Sequence, residues 1–215
     1  MESHRVIIVD DHPLFRAALR EALGQAFAGI VLDEAGNLDA VTAMLERDGE
    51  TDLVLLDLKM PGVQGFSGLM FLRAQYPSVP VAVVSASDEP HVIRRALELG
   101  ASGYIPKSLT VETMREAVAA ILAGSLWVPE GTAEAVPFDA AADDLARRIA
   151  LLTPQQMRVL MMLKEGLLNK QIAFELKVSE ATIKAHVSAI LHKLDVGSRT
   201  QAVIAASRID GDAMH

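Results

Sequence analysis

Five polar residues stand where short apolar runs end. VIIV (6–9) runs into Asp10 and Asp11, LVLL (53–56) into Asp57, VAVV (81–84) into Ser85, and GYIP (103–106) into Lys107. An unpaired carboxylate is costly to bury, so each acid belongs at the mouth of a strand. Three carboxylates in one crevice repel one another unless a cation holds them. Oxygen ligands without His or Cys favour Mg2+, which binds through a few carboxylates and keeps several waters. A carboxylate nucleophile, a metal, a hydroxyl and an ammonium together suit phosphoryl transfer to an aspartate, where catalysis is mostly positioning and charge neutralisation.

Such a convergence needs a sheet. The runs VIIV, IVL (30–32), LVLL, VAVV and GYI (103–105) read as strands, and three are unbroken apolar stretches of the kind covered on both faces. Helical patterns lie between them. In PLFRAALREAL, Leu14, Phe15, Ala18, Leu19, Ala22 and Leu23 fall on one stripe, and segments 38–46, 66–75, 90–99 and 111–123 read similarly. Gly100 and Gly124 stand at helix C-cap positions. Five strand–helix units predict an α/β fold, a doubly wound five-stranded parallel sheet of order 2-1-3-4-5. In that order the first and third strands are neighbours, and the switch point lies at their carboxyl ends. Asp10, Asp11 and Asp57 then share a crevice, with Ser85 and Lys107 on the same rim.

DDHPLFR, LLDLKMPG, VVSAS and GYIPKS resemble the receiver domain of two-component response regulators, from residue 4 to about 123. The resemblance implies a flavodoxin-like fold with Asp57 as phosphoacceptor. Asp10 or Asp11, with Asp57 and the Lys59 backbone carbonyl, would hold Mg2+. Lys107 would bind phosphoryl oxygens, Ser85 would hydrogen-bond the phosphoryl group and draw its loop inward, and Tyr104 would be the aromatic that turns in behind it. His12 could touch this site, but is expected in the first turn of the first helix, before Pro13. Met60-Pro61-Gly62 shape the turn beside Asp57. One departure is the order Pro106-Lys107-Ser108, where many receivers have Lys-Pro.

The chain has 215 residues and a net charge of −8, unevenly spread. Residues 1–148 carry 12 Lys and Arg against 22 Asp and Glu; residues 149–215 carry 8 against 6. An acidic first part and a mildly basic second part imply two modules with different partners. There is no cysteine, which excludes disulfides and thiolate metal sites and suits a reducing cytosol. No apolar run is long enough for a signal peptide or a membrane span. Cytoplasmic placement without membrane contact is expected. Residues 125–148 break the strand–helix rhythm and read as a linker between modules at 1–124 and 149–215. Trp127 reads as a packing residue at the domain edge.

From residue 149 the pattern is helical. Thr153-Pro154-Gln155-Gln156 is a capping box opening a helix to about 165. A second helix is predicted from Asn169 to Leu176, a turn at 177–179, a third from Glu180 to Leu194, and a fourth to about Arg208 behind the capping box Ser198-Arg199-Thr200-Gln201. A short helix, a tight turn and a second helix form a helix-turn-helix. In the third helix Ile183, Val187, Ile190, Leu191 and Leu194 face the core. Ala181, Ala185, Ser188, Ala189 and His192 lie opposite, flanked by Lys184 and His186.

The positions NK-IA-L, S-TIK-H and KL-V-SR resemble the LuxR/NarL-type DNA-binding domain over about 149–210. By that resemblance Lys184 and its neighbours Ser179, Thr182, Ala185 and Ser188 enter the major groove, with Asn169, Lys170, Lys193 and Arg199 at the DNA backbone. Ala202, Val203, Ala205 and Ala206 of the fourth helix would pack against a second copy. The reading helix lacks Arg, Asn and Gln, the best bidentate base readers. Base discrimination per half-site should be modest, aided by dimer symmetry and DNA shape. The expectation is a transcriptional regulator, not a metabolic enzyme, phosphorylated on Asp57 by a sensor histidine kinase. It would act on promoter half-sites as a homodimer when active. Its alternatives are a receiver serving as a phosphorylation-independent or ligand-controlled dimerisation module, an α/β phosphatase, and a helical module for protein contacts.

Overall fold

In the computed structural model, residues 4–47, 51–60, 63–131, 144–145, 148–149 and 151–211 are described. Most of the expected linker, 132–143, lies outside them, as do Pro61 and Gly62 of the expected turn. The first module runs β1 (Arg5–Val9), α1 (Pro13–Ala26), β2 (Val31–Ala35), α2 (Leu38–Arg47) and β3 (Leu53–Asp57). A two-stranded antiparallel ribbon follows, β4 (Lys59–Met60) with β5 (Val63–Gln64). Then come α3 (Ser67–Gln75), β6 (Val81–Ser85), α4 (Pro90–Glu98), β7 (Gly103–Pro106) and α5 (Val111–Leu122). The main sheet is parallel, in the order β2-β1-β3-β6-β7. With the small ribbon set aside, this is the expected 2-1-3-4-5 order.

The apolar runs form strands because both of their faces are covered. Val6, Ile8, Leu53, Leu55, Ala82, Val84 and Ile105 pack with Leu19 and Leu23 of α1 and Ala117, Val118 and Ile121 of α5. The alternate residues Ile7, Val9, Val54, Leu56, Val81, Val83 and Tyr104 meet Val41, Leu69, Leu72, Val92, Ile93 and Ala96 on α2, α3 and α4.

Two local expectations change. The second strand extends from Val31 to Ala35 instead of covering 30–32, so it includes Asp33 and Glu34. It is an edge strand with one neighbour, which lets its acids turn to solvent and to arginines. Asp33 pairs with Arg5 at 2.8 Å, and Glu34 with Arg16 at 3.3 Å and Arg20 at 3.0 Å. In α1, Leu19, Ala22 and Leu23 are buried, whereas Leu14 is 88% exposed and Ala18 is exposed too. The buried stripe begins one turn later than the apolar spacing predicts.

Gly103 is required by a close approach. A Cβ there would lie 2.6 Å from Cδ1 of Ile121 and 3.0 Å from the Trp127 carbonyl. That carbonyl accepts from the Tyr104 N–H at 3.0 Å, so Trp127 continues the sheet by one bridge beyond β7.

The second module contains α6 (Pro154–Lys164), α7 (Asn169–Glu175), α8 (Glu180–Leu194) and α9 (Arg199–Gly211). Thr153 and Gln156 form the reciprocal capping box, with N···O distances of 3.0 and 3.3 Å. At α9 the pattern differs: Ser198 accepts from the Gln201 N–H, but the Gln201 side chain accepts from Gly197.

The modules are docked. α3 packs against α6, and the buried cluster beneath α2, α3 and α4 continues into Ile149, Leu152, Met157 and Leu160. Met70, Arg73, Glu98, Leu99 and Gly100 of the first module meet Ile149 and Met157 around a cavity of about 270 Å3. Beside it a cleft of about 700 Å3 is lined by Asp39, Thr42 and Glu46 on one side and Arg158, Met161 and Glu165 on the other.

Candidate functional site: an acidic pocket and a helix-turn-helix

The sheet order brings the predicted residues to one rim. β1 and β3 are neighbours in register, Val9 opposite Leu56, so Asp10 and Asp57 emerge side by side. Both are only 2% exposed. One oxygen of Asp57 lies 2.7 Å from the Lys107 ammonium, which also lies 2.7 Å from Asp10. The other Asp57 oxygen accepts from the Lys59 backbone N–H at 3.2 Å. Lys107 reaches this point because β7 pairs with β6, Pro106 opposite Ser85, and the Lys107 N–H donates to the Ser85 carbonyl at 2.7 Å. Pro106 preceding the lysine does not displace its charge.

Two further residues join the pocket that strand-end spacing alone does not predict. Lys107 lies over the Phe15 ring, 4.7 Å from its centre, a cation–π contact that helps hold the ammonium. His12 is the N-cap of α1, and its Nδ1 lies 2.7 Å from Asp11 and 3.2 Å from Asp10. One ligand atom from each of Asp10, Asp11, His12 and Asp57 falls within 4.8 Å of the others. In DDHPLF the helix starts immediately after the strand-end acids, which brings His12 and Phe15 beside them, while Leu14 of the same turn stays exposed.

Burial pushes the Asp57 carboxyl above its ordinary pKa. The Lys107 hydrogen bond and charge and the Lys59 N–H oppose the shift, and the Asp10 charge adds to it. For Lys107, burial works against the charge, but hydrogen bonds to Asp10 and Asp57 and their attraction prevail and raise its pKa. The pocket is thus short of positive charge: one ammonium serves two buried carboxylates.

Ser85 is buried, and its hydroxyl accepts from the Ser87 N–H at 3.3 Å. Tyr104 is fully buried and its hydroxyl donates to the Ser87 carbonyl at 2.9 Å. Burial drives the phenol up to about 12, against the hydrogen bonds to Ser85 and Ser87. Ser85 and Tyr104 are therefore coupled through a single backbone unit at residue 87.

In the helical module, Ile183, Ile190 and Leu194 are buried, while Thr182, Lys184, Ala185 and Ser188 are exposed with the modules docked. Ser179 caps α8 by accepting from the Thr182 N–H at 3.0 Å, and Lys184 pairs with Glu180 at 3.1 Å. Lys170 is exposed. Other expected contact residues are engaged inside the bundle. Lys193 donates to the Leu151 carbonyl at 2.7 Å and to Gln156 at 2.8 Å. Arg199 donates to Asn169 at 3.2 Å and to the Leu167 carbonyl. Their charges tie α8 and α9 to α6 and α7. The dimer expectation for Ala202 and Ala206 is corrected: they are 0% and 4% exposed and belong to the domain's own core. Their small side chains let α9 sit close to α6. Val203 is half-buried, and Ile204, 48% exposed, is a large apolar residue that α9 presents outward.

A strand-rim acidic pocket with a bridging lysine, joined to a helix-turn-helix, defines a class. A family model for the response regulator receiver domain matches residues 6–119, and one for bacterial regulatory proteins of the luxR family matches residues 150–206. The chain belongs to the response regulators that join a receiver to a LuxR-type DNA-binding domain. The glycerol metabolism activator of Pseudomonas putida is 38% identical, with 96% of each chain covered. The nitrate/nitrite response regulator NarL of Escherichia coli K12 is 31% identical, with 94% of each covered. RcsB of Salmonella enterica serovar Typhimurium, solved bound to a promoter, shares the fold with a TM-score of 0.57. It is 24% identical, with 96% of this chain and 98% of that one covered. Among the described residues no helix is long and apolar enough to cross a membrane.

Proposed function

We propose that this chain is the output of a two-component phosphorelay in the cytoplasm. A sensor histidine kinase phosphorylates Asp57, and the phosphorylated form binds promoter half-sites as a homodimer. The observation that carries this reading is the Lys107 ammonium, 2.7 Å from both Asp10 and Asp57 at the mouth of the sheet. It marks a place that collects negative charge and is short of positive charge.

An Asp57 oxygen attacks the phosphorus of a kinase phosphohistidine. The N–P bond breaks and its electron pair stays on the imidazole. No proton need leave Asp57 if its carboxyl is ionised, and Lys107 favours that form. Lys107 then meets the phosphoryl oxygens, and the Ser85 hydroxyl donates to them. Drawing Ser85 inward moves Ser87, to which the Tyr104 hydroxyl is bonded. Asp10, Asp11 and Asp57, with the Lys59 backbone carbonyl, would hold Mg2+; their oxygen donors fit it, and it supplies neutralisation of the phosphoryl charge. The product is a signal, so the chain is not an enzyme in the metabolic sense.

We assign residues 1–124 to the receiver, 125–148 to the linker and 149–215 to DNA binding. The residue-87 unit leads into α4, whose far end meets Ile149 and Met157. A shift of α4 therefore loosens the seam between domains. On DNA, Lys184, Ala185, Ser188, Ser179 and Thr182 face the major groove, and Lys170 approaches a phosphate. Incubation with acetyl phosphate or a cognate kinase and Mg2+ should add one phosphoryl mass, lost in Asp57→Ala. No added mass with either donor overturns the reading. Selection of bound DNA from a random pool, with and without phosphorylation, tests the output.

A further inference from the structure

We infer that the cavity at the domain seam binds a small carboxylate with an apolar body, held by Arg73 and by side chains of both domains. The cavity measures about 270 Å3. That is below the range of about 300–1,000 Å3 common for drug-sized molecules, so its ligand is small. Met70 and Leu99 line it from the first module, Ile149 and Met157 from the second, and its charged lining is Arg73 and Glu98. A molecule that fills it touches both domains and stabilises the docked state by binding only that state.

The charges decide the chemistry. Glu98 is already paired: one oxygen lies 2.8 Å from Arg94 and the other 3.0 Å from Arg95. Arg73 has no carboxylate partner among the described residues. Its Nη1 donates to the backbone carbonyls of Pro77 at 3.1 Å and Val79 at 3.0 Å. Three guanidinium groups thus border the cavity against one carboxylate. Nε of Arg95, a residue only 4% exposed, finds no hydrogen-bond partner among the described residues either. In Arg73 the Nε and Nη2 edge remains, the fork that takes both oxygens of a carboxylate. Gly100 leaves that edge room, since a Cβ there would lie 3.3 Å from Nε. A neutral molecule would leave the guanidinium without an anion. An inorganic anion would leave the apolar walls unfilled.

The probes are hexanoate and benzoate on the full chain, with 1-hexanol and sulfate as controls. Titration calorimetry should show saturable binding of at least one carboxylate, and proteolysis between the domains should slow as it saturates. Arg73→Gln should weaken that binding roughly tenfold, the loss of a charge-assisted hydrogen-bond pair. Arg73 also holds the chain at Pro77 and Val79, so a second variant leaves the charges alone. Ala74 lines the cavity, and Ala74→Leu should fill it and abolish binding. Circular dichroism checks that both variants keep the fold. No saturable binding of either carboxylate overturns the inference. So does 1-hexanol or sulfate binding as tightly as the carboxylates, or an affinity that survives either folded variant. Binding that leaves interdomain proteolysis unchanged places the molecule away from the seam and overturns it too.

Discussion

At the scale of single residues, Lys107 holds the pocket together. Asp10 and Asp57 are both 2% exposed and share one ammonium. Removing a partner from a buried ion pair leaves an uncompensated charge. Lys107→Met should lower unfolding stability in urea by about 3 kcal/mol without divalent ions. Millimolar Mg2+ should recover much of that loss, because an ion at the carboxylates replaces the missing charge. A loss that Mg2+ does not reduce would argue that the lysine acts by packing alone. Tyr104 gives a second residue-scale prediction. Its phenol is pushed up to about 12 and that of Tyr76 is raised too, each chiefly by burial, from an ordinary 10.0. A raised phenol contributes stability that is present below the unfolded pKa and lost as pH rises toward the folded one. Tyrosinate absorbance should therefore lag behind that of free tyrosine and appear with alkaline unfolding. The strand-end set was legible because an apolar run that stops at a charge marks where a covered strand meets solvent. His12 and Phe15 were not, since in DDHPLF a first-turn residue reads equally as solvent-facing or core-facing.

At the scale of elements, the sheet was legible wherever both faces of a strand are covered. It was misjudged where one edge is open: the acids of β2 broke the apolar pattern, yet Arg5, Arg16 and Arg20 make them part of the strand. In α9, alanine spacing could not say which side meets its own bundle, and Ala202 and Ala206 turned out to face inward. Close packing at the other edge yields a prediction. Gly103→Ala places a methyl group against Ile121 and the Trp127 carbonyl, so either β7 or the Trp127 bridge must shift. The expected cost is about 1–3 kcal/mol in urea denaturation, and Trp127 fluorescence should report the change before global unfolding. A neutral substitution would mean that the bridge yields freely.

At the scale of the whole molecule, the docking of the two domains was not legible in the sequence, because Met70, Leu99, Ile149 and Met157 come from four separate segments. The seam has an electrostatic border. Arg158 faces a cleft that also holds Asp39, Glu46 and Glu165, and its charge acts on Tyr76. Arg158→Glu sets another carboxylate among these three and Glu175. The expected result is a larger radius of gyration by small-angle scattering and faster proteolysis between the domains, both partly reversed by salt. An unchanged radius at low salt would show that the apolar part of the seam suffices alone.

That apolar part has a consequence for how quiet the system is at rest. The buried cluster runs without a break from beneath α2, α3 and α4 to Ile149 and Met157, each 1% exposed. Parting the domains uncovers it, and every 1.4 kcal/mol of that cost makes undocked molecules about tenfold rarer. Under the proposed function, the seam would thereby set the background of the signal. A polar substitution there would raise output in the absence of any stimulus, while a tighter seam would demand a stronger one. Under the proposed function, gain and leak would be tuned at a patch of ordinary hydrophobic packing, far from the aspartate proposed to receive the phosphoryl group.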